Sequence, residues 1–208
     1  MAVETATRPT ASVPPSTHHD RPALADPGAL GLSAFALTTM VASFANAGLL
    51  PNAAAAALGV ALFYGGVGQA LAGLWSFRQG NTFGSLSFTS FGGFWLAYWW
   101  IQTNPDLARA AAGAGLGLFM ICWAVVAAML MVVSVRLSGL LIILFAWLAL
   151  TLLLLGLGAL IGITWIGQAG GWAGIATALI AWYGSFASVV NATWQRAVVP
   201  IGEIRIGS

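Results

Sequence analysis

The chain has 208 residues, 60% of them hydrophobic and only 6% charged, and seven arginines, no lysine and five acids leave a net charge of +2. A water-soluble domain commonly carries about 25% charged residues, so this composition excludes an ordinary soluble globule and points to lipid as the main solvent. The few scattered cations exclude a nucleic-acid surface, and one cysteine, Cys122, allows no internal disulfide.

Residues 1–25 mix Thr, Pro, Ser and charges and cannot bury enough apolar surface to offset ordering, which predicts a disordered tail without a secretory leader. His18 and His19 lie there with no metal-ligand cluster around them, so neither a metal nor a cofactor is expected. Six apolar runs follow, at 29–49, 53–77, 82–102, 111–134, 138–160 and 171–194. Each has the roughly 20 residues a helix needs to cross a bilayer. Between residues 28 and 194 the charges are Arg78, Asp106, Arg109 and Arg136, all at joints between runs. The breaks are Pro51-Asn52, the turn Arg78-Gln79-Gly80-Asn81, Asn104-Pro105-Asp106, Arg136 with Ser138-Gly139, and the stretch from Gly162 to Gly171. The expected fold is all-α: a polytopic membrane domain of six transmembrane helices over 26–203, between a tail at 1–25 and a short one at 204–208.

Six spans put both termini on one side, with Arg8, Arg21, Arg78, Arg136, Arg196 and Arg205, against Arg109 alone on the other. That bias predicts a multi-pass plasma-membrane protein with both termini cytoplasmic. Most of the 26 glycines fall inside spans, where small residues let helix backbones approach. No ionisable group falls at mid-depth, so no relay of titrating side chains crosses the membrane. The polar residues inside are hydroxyls and amides, including Thr38, Thr39 and Asn46 in the first span, Tyr64 and Gln69 in the second, and Ser185, Ser188 and Asn191 in the sixth. Such groups can donate to a small anion without trapping it, or can simply bond helix to helix. No nucleophile–base pair suggests an enzyme.

The string FYGGVGQALAGLWSFRQGNTFGSLSFTSFGGFW at 63–95 resembles the signature region of the acetate uptake transporter family, the bacterial acetate–succinate permeases and their fungal relatives. Asp26-Pro27-Gly28-Ala29-Leu30-Gly31 is similar to that family's Asn-Pro-Ala-Pro-Leu-Gly entry motif, and Val198–Glu203 to its C-terminal ending. The resemblance implies a six-helix protomer in a homohexamer, each protomer passing acetate or a similar short carboxylate, such as succinate, by channel-like conduction or proton-linked uptake. It also implies a hydrophobic constriction at Phe35 and Phe91, where relatives often have Tyr at the second position, and a third member near Phe145 or Ala146. Thr38, Thr39, Tyr64, Gln69, Asn81 and Thr82 match positions assigned to the substrate path, and Asp26, Pro27, Leu30 and Gly31 to the entry. Asp26 stands where the family has Asn, and Ser76 and Ser188 stand where relatives carry Glu. Rival expectations are a channel or exporter for ammonia or another small neutral solute, and a non-transporting assembly protein.

Overall fold

The computed structural model describes residues 25–202 and 204, and seven helices follow one another among them without a strand. They are α1 Gly28–Asn46, α2 Ala53–Arg78, α3 Thr82–Thr103, α4 Pro105–Ala111, α5 Ala114–Ser134, α6 Gly139–Ile161 and α7 Thr164–Trp194. The expected tails at 1–25 and 204–208 lie almost wholly outside the described residues. Five helices, α1, α2, α5, α6 and α7, are long and apolar enough to cross a membrane. At 22 residues α3 reaches about 33 Å, a bilayer's hydrocarbon thickness. Ser85, Ser87, Thr89 and Ser90 make its first half less apolar than the others.

Local chemistry sets the ends. Asp26 Oδ1 accepts from Gly28 N (2.8 Å) and Pro27 O from Gly31 N (2.9 Å), which starts α1. Asn81 and Asn104 accept backbone N–H groups at the starts of α3 and α4, and Ser138 accepts Leu141 N (3.3 Å) at the start of α6. Gly48, Gly80, Gly113 and Gly162 have φ between 71° and 76°, a left-handed conformation that costs glycine little and so stops or redirects the chain.

Two boundaries differ from the sequence expectation. Residues 105–111 form a separate short helix, because Asn104 caps it and Pro105 suits its first position. The last long helix begins at Thr164 rather than 171, since one left-handed residue, Gly162, completes the turn. Its glycines are crossing points instead of breaks. A Cβ on Gly170 would lie 2.8 Å from Leu155 N, and one on Gly171 would lie 2.2 Å from Ala47 N.

Packing runs α5 on α6, α6 on α7, α7 on α1, and α2 on α3, with α1 also against α2. Small residues and hydroxyls hold these seams: Thr151 and Thr177 share a 3.0 Å hydrogen bond between α6 and α7, and Ser185 Oγ donates to Ala29 O at 2.8 Å between α7 and α1. Within α2, residues Ala61–Gly68 form a π-helical segment. Such widened turns cost hydrogen-bond geometry and recur at functional sites. Here the glycines leave room for α1, because a Cβ on Gly65 would meet Thr38 Oγ1 at 2.7 Å, and Thr38 Oγ1 donates to Val60 O at 3.4 Å. Outward faces are apolar, with Phe63, Leu118, Met129 and Val132 all mostly exposed.

Past α7 the chain turns back. Asn191 Oδ1 accepts from Val198 N and Val199 N, both at 2.8 Å, and its Nδ2 donates to Val199 O at 2.9 Å. Tyr183 Oη donates to Pro200 O (2.7 Å), and Gly139 N then donates to Gly202 O (2.8 Å). The returning segment thus supplies carbonyls to otherwise unsatisfied donors at the start of α6. Asn191, expected on a polar stripe of the last span, is the clamp that holds this strap.

Candidate functional site

Three cavities lie in series between α1, α3 and α6. The far cavity, about 270 Å³, opens near the ends of these helices remote from Asp26. Its lining includes Thr39, Asn46, Trp95, Tyr98, Gln102 and Thr151. The near cavity, about 170 Å³, is lined by Asp26, Asn81, Ser138, Ser188 and Ile201 among others. Between them is a narrow space of about 20 Å³ lined by Leu32, Phe35, Gln69, Ser87, Phe88, Phe91, Leu144, Phe145 and Leu148. Phe35, Phe91 and Leu148 also line the far cavity; Leu32, Ser87, Phe88 and Phe145 also line the near one. The shared residues establish the order.

Aromatic rings close the narrow space. Phe35 and Phe91 meet edge to face with centroids 6.0 Å apart, and Phe145 lies 6.5 Å from Phe91. All three are buried. Behind them Phe94 and Trp123 pack on Phe91, at 6.2 and 5.5 Å. Of the two candidates on the fifth span, Phe145 is the one that lines this space. An ion entering there would lose its water against a nearly apolar wall, at a cost of several kcal/mol even after relaxation.

The polar atoms around this series are unevenly matched. Thr39 Oγ1 and Trp95 Nε1 are buried without a hydrogen-bond partner, and both residues line the far cavity. An indole N–H can only donate and a hydroxyl can donate, so two unused donors lie in the wall of this cavity, just beneath its surface. Gln69 is 2% exposed and its Oε1 has no partner in the narrow space. Buried polar atoms are nearly always bonded, and four stand without a partner among the described residues; the fourth, Thr89 Oγ1, belongs to a residue that lines none of the three cavities.

The expected path residues divide. Thr39, Gln69 and Asn81 line the cavities, with Asn81 at the near mouth as the cap of α3. Thr38 and Tyr64 lie behind the wall: Thr38 Oγ1 donates to Ala34 O at 2.8 Å, and Tyr64 Oη donates to Ser33 Oγ at 3.1 Å. Thr82 is exposed at the start of α3 and lines none of the three cavities. Of the entry motif, Asp26 lines the near cavity, while Pro27 and Gly31 are buried structural positions and Leu30 faces outward. A Cβ on Gly31 would meet Phe88 at 2.5 Å. Phe94, Trp95, Tyr98 and Gln102 line the far cavity although the sequence reading does not single them out for the path. Their spacing from Phe91 is helical, and that period was the available signal that they share the cavity face.

Because Asn81 caps α3, Asn81→Ala should lower stability by about 1 kcal/mol, whereas Asn81→Asp, which keeps the acceptor, should not; thermal unfolding in detergent compares them.

A family model described as the GPR1/FUN34/yaaH family matches residues 8–205. The chain belongs to this family. A solved structure of the bacterial acetate channel SatP is similar with a TM-score of 0.82 and 33% identity, covering 86% of this chain and 100% of that one. The succinate-acetate/proton symporter SatP of Escherichia coli K12 is 36% identical over 185 residues, 86% of this chain and 96% of its own length. Ammonia transport outward protein 2 of Saccharomyces cerevisiae is 37% identical over 88% of this chain. Against four fungal relatives of the family, the chain spans 64 to 67% of their length.

Proposed function

We propose that the protein carries acetate and similar short carboxylates, succinate included, across a membrane through the cavity series inside its own helix bundle. In this reading α3 also crosses the membrane and brings the number of spans to six, the termini face the cytoplasm, the membrane is the plasma membrane, and protomers associate by their apolar faces as a homohexamer. The observation that carries the reading is the far cavity, where the unpartnered donors of Thr39 and Trp95 stand next to a phenylalanine-lined narrowing. Donors without fixed charge favour an anion yet release it. The relatives named for acetate and succinate support it. In its path role Asp26 sits at the near mouth, where salt screens an exposed charge over about 8–10 Å.

The ammonia reading draws on the yeast relative's name, but ammonia has one lone pair and can accept from only one of the two donors beside the far cavity, whereas a carboxylate can accept from both. Purified protein in liposomes should take up labelled acetate above empty vesicles, and excess propionate should compete while ammonium does not. Competition by ammonium alone would transfer the assignment to the neutral solute, and co-purification with a partner without any flux would favour an assembly role.

A further inference from the structure

We propose, resting on the transport reading above, that the far cavity holds a four-carbon dicarboxylate end-on, and that Ser43 and Tyr98 receive its outer carboxylate and so set the preference between succinate and acetate. Among the described residues every buried serine or threonine makes a side-chain hydrogen bond except two, Thr39 and Ser43. Ser76, Ser134, Thr151 and Thr177, for instance, each donate to the carbonyl four residues earlier, a common way for a helix to satisfy a hydroxyl away from water. Thr39 and Ser43 are 5% and 2% exposed, stand one turn apart on α1 and line the same cavity. Gly174 gives Ser43 its room, since a Cβ there would come within 2.2 Å of Ser43 Oγ. Hydroxyls left unbonded in such a place are costly, and a solute that accepts from them relieves that cost.

The facing helix repeats the pattern. Both α1 and α3 run from the near mouth toward the far one, with Phe35 against Phe91 at the narrowing. One turn farther out stand Thr39 and Trp95, whose Nε1 is unpartnered, and the next turn brings Ser43 and Tyr98. Tyr98 Oη accepts from Gln102 Nε2 at 3.3 Å, which steadies the hydroxyl and leaves its own hydrogen to give. The cavity thus carries two levels of uncharged donors, separated by the four-residue rise of α1, about 6 Å. An extended four-atom chain spans about 3.8 Å, and a carboxylate oxygen beyond each end brings the outermost acceptors of succinate to about 6 Å. Acetate reaches one level only. No cation lines the cavity, and the second charge is tolerated because the outer level lies on the open side, toward Asn46, Gln102 and water.

Uptake of labelled acetate and labelled succinate by the full chain in liposomes at about pH 7, where both carboxyls are ionised, tests this once the flux of empty vesicles is subtracted. Ser43→Ala and Tyr98→Phe should each raise the KM for succinate about tenfold relative to that for acetate. Thr39→Val, at the level both solutes use, should raise the two KM values by similar factors. As competitors of acetate uptake, succinate should surpass both malonate and its own monomethyl ester, which has the length without the second charge. Melting temperature in detergent checks that each variant is folded; if Ser43→Ala is not, Tyr98→Phe, which keeps the ring and loses one oxygen, carries the test. KM values for the two solutes that move together in Ser43→Ala and Tyr98→Phe would overturn the two-level site while leaving acetate transport standing, as would succinate that neither crosses nor competes. Absence of protein-dependent flux of either solute would overturn the transport reading and this one together.

Discussion

Phe91→Ala should raise acetate flux several-fold and raise the flux of larger carboxylates, such as benzoate, by a larger factor. Phe91 belongs to both the far and the narrow cavity, and its ring meets Phe35 at 6.0 Å and Phe145 at 6.5 Å. Removing the ring joins the two spaces and replaces an apolar wall by room for water, so a carboxylate no longer sheds its whole shell to pass. The same change removes a buried aromatic that also supports Phe94 and Trp123, and Phe→Ala in a packed core costs about 3–5 kcal/mol. Phe91→Tyr separates these effects, since it keeps the ring and should keep size exclusion. Flux of acetate, succinate and benzoate through equal amounts of folded protein is the measurement. Unchanged uptake in the alanine variant would remove Phe91 from the path.

Gly171→Ala should be among the most damaging small substitutions in the chain. The added Cβ would lie 2.2 Å from Ala47 N, 2.6 Å from Asn46 C and 2.7 Å from Ala47 Cα, all backbone atoms that no rotamer change can move. The end of α1 must separate from α7, and overpacking of this kind costs about 1–3 kcal/mol and occasionally more. Since Asn46 lines the far cavity, the displacement should also depress flux. Gly59→Ala is the control: a Cβ there meets nothing within 4 Å, and the exchange in a helix interior should stabilise by up to about 1 kcal/mol. Melting temperatures of the two variants in detergent decide the matter, and equal values would show that the seam between α1 and α7 yields freely.

The helical, membrane-embedded character was legible because hydrophobic run length and the placing of Arg78, Asp106, Arg109 and Arg136 follow directly from the cost of charge in hydrocarbon. Facing was less legible. Thr38 and Thr39 are neighbours about 100° apart around α1, and only the packing partners decide that Thr39 borders the cavity while Thr38 turns to the π-helical segment of α2. Phe145 and Ala146 pose the same ambiguity, settled by the position of α6 against Phe91 and Phe83. Tyr64 reads as a path residue, yet its hydroxyl is held by Ser33. Gly167, Gly170 and Gly171 read as a connection because glycine is ambiguous in sequence: it marks a turn where φ is positive and a close crossing where the helix continues. Nothing in Asn191 itself reveals that residues arriving after α7 would settle on it.

The strap that Asn191 holds joins folding to access. Its Gly202 carbonyl finishes the first turn of α6 and its Ile201 borders the near cavity, so one short peptide both caps a helix and walls a chamber. Trimming or fusing cargo at this end of the polypeptide would therefore disturb the doorway through which solute meets the near chamber, and a reporter placed there would be reading a part of the machine it had altered.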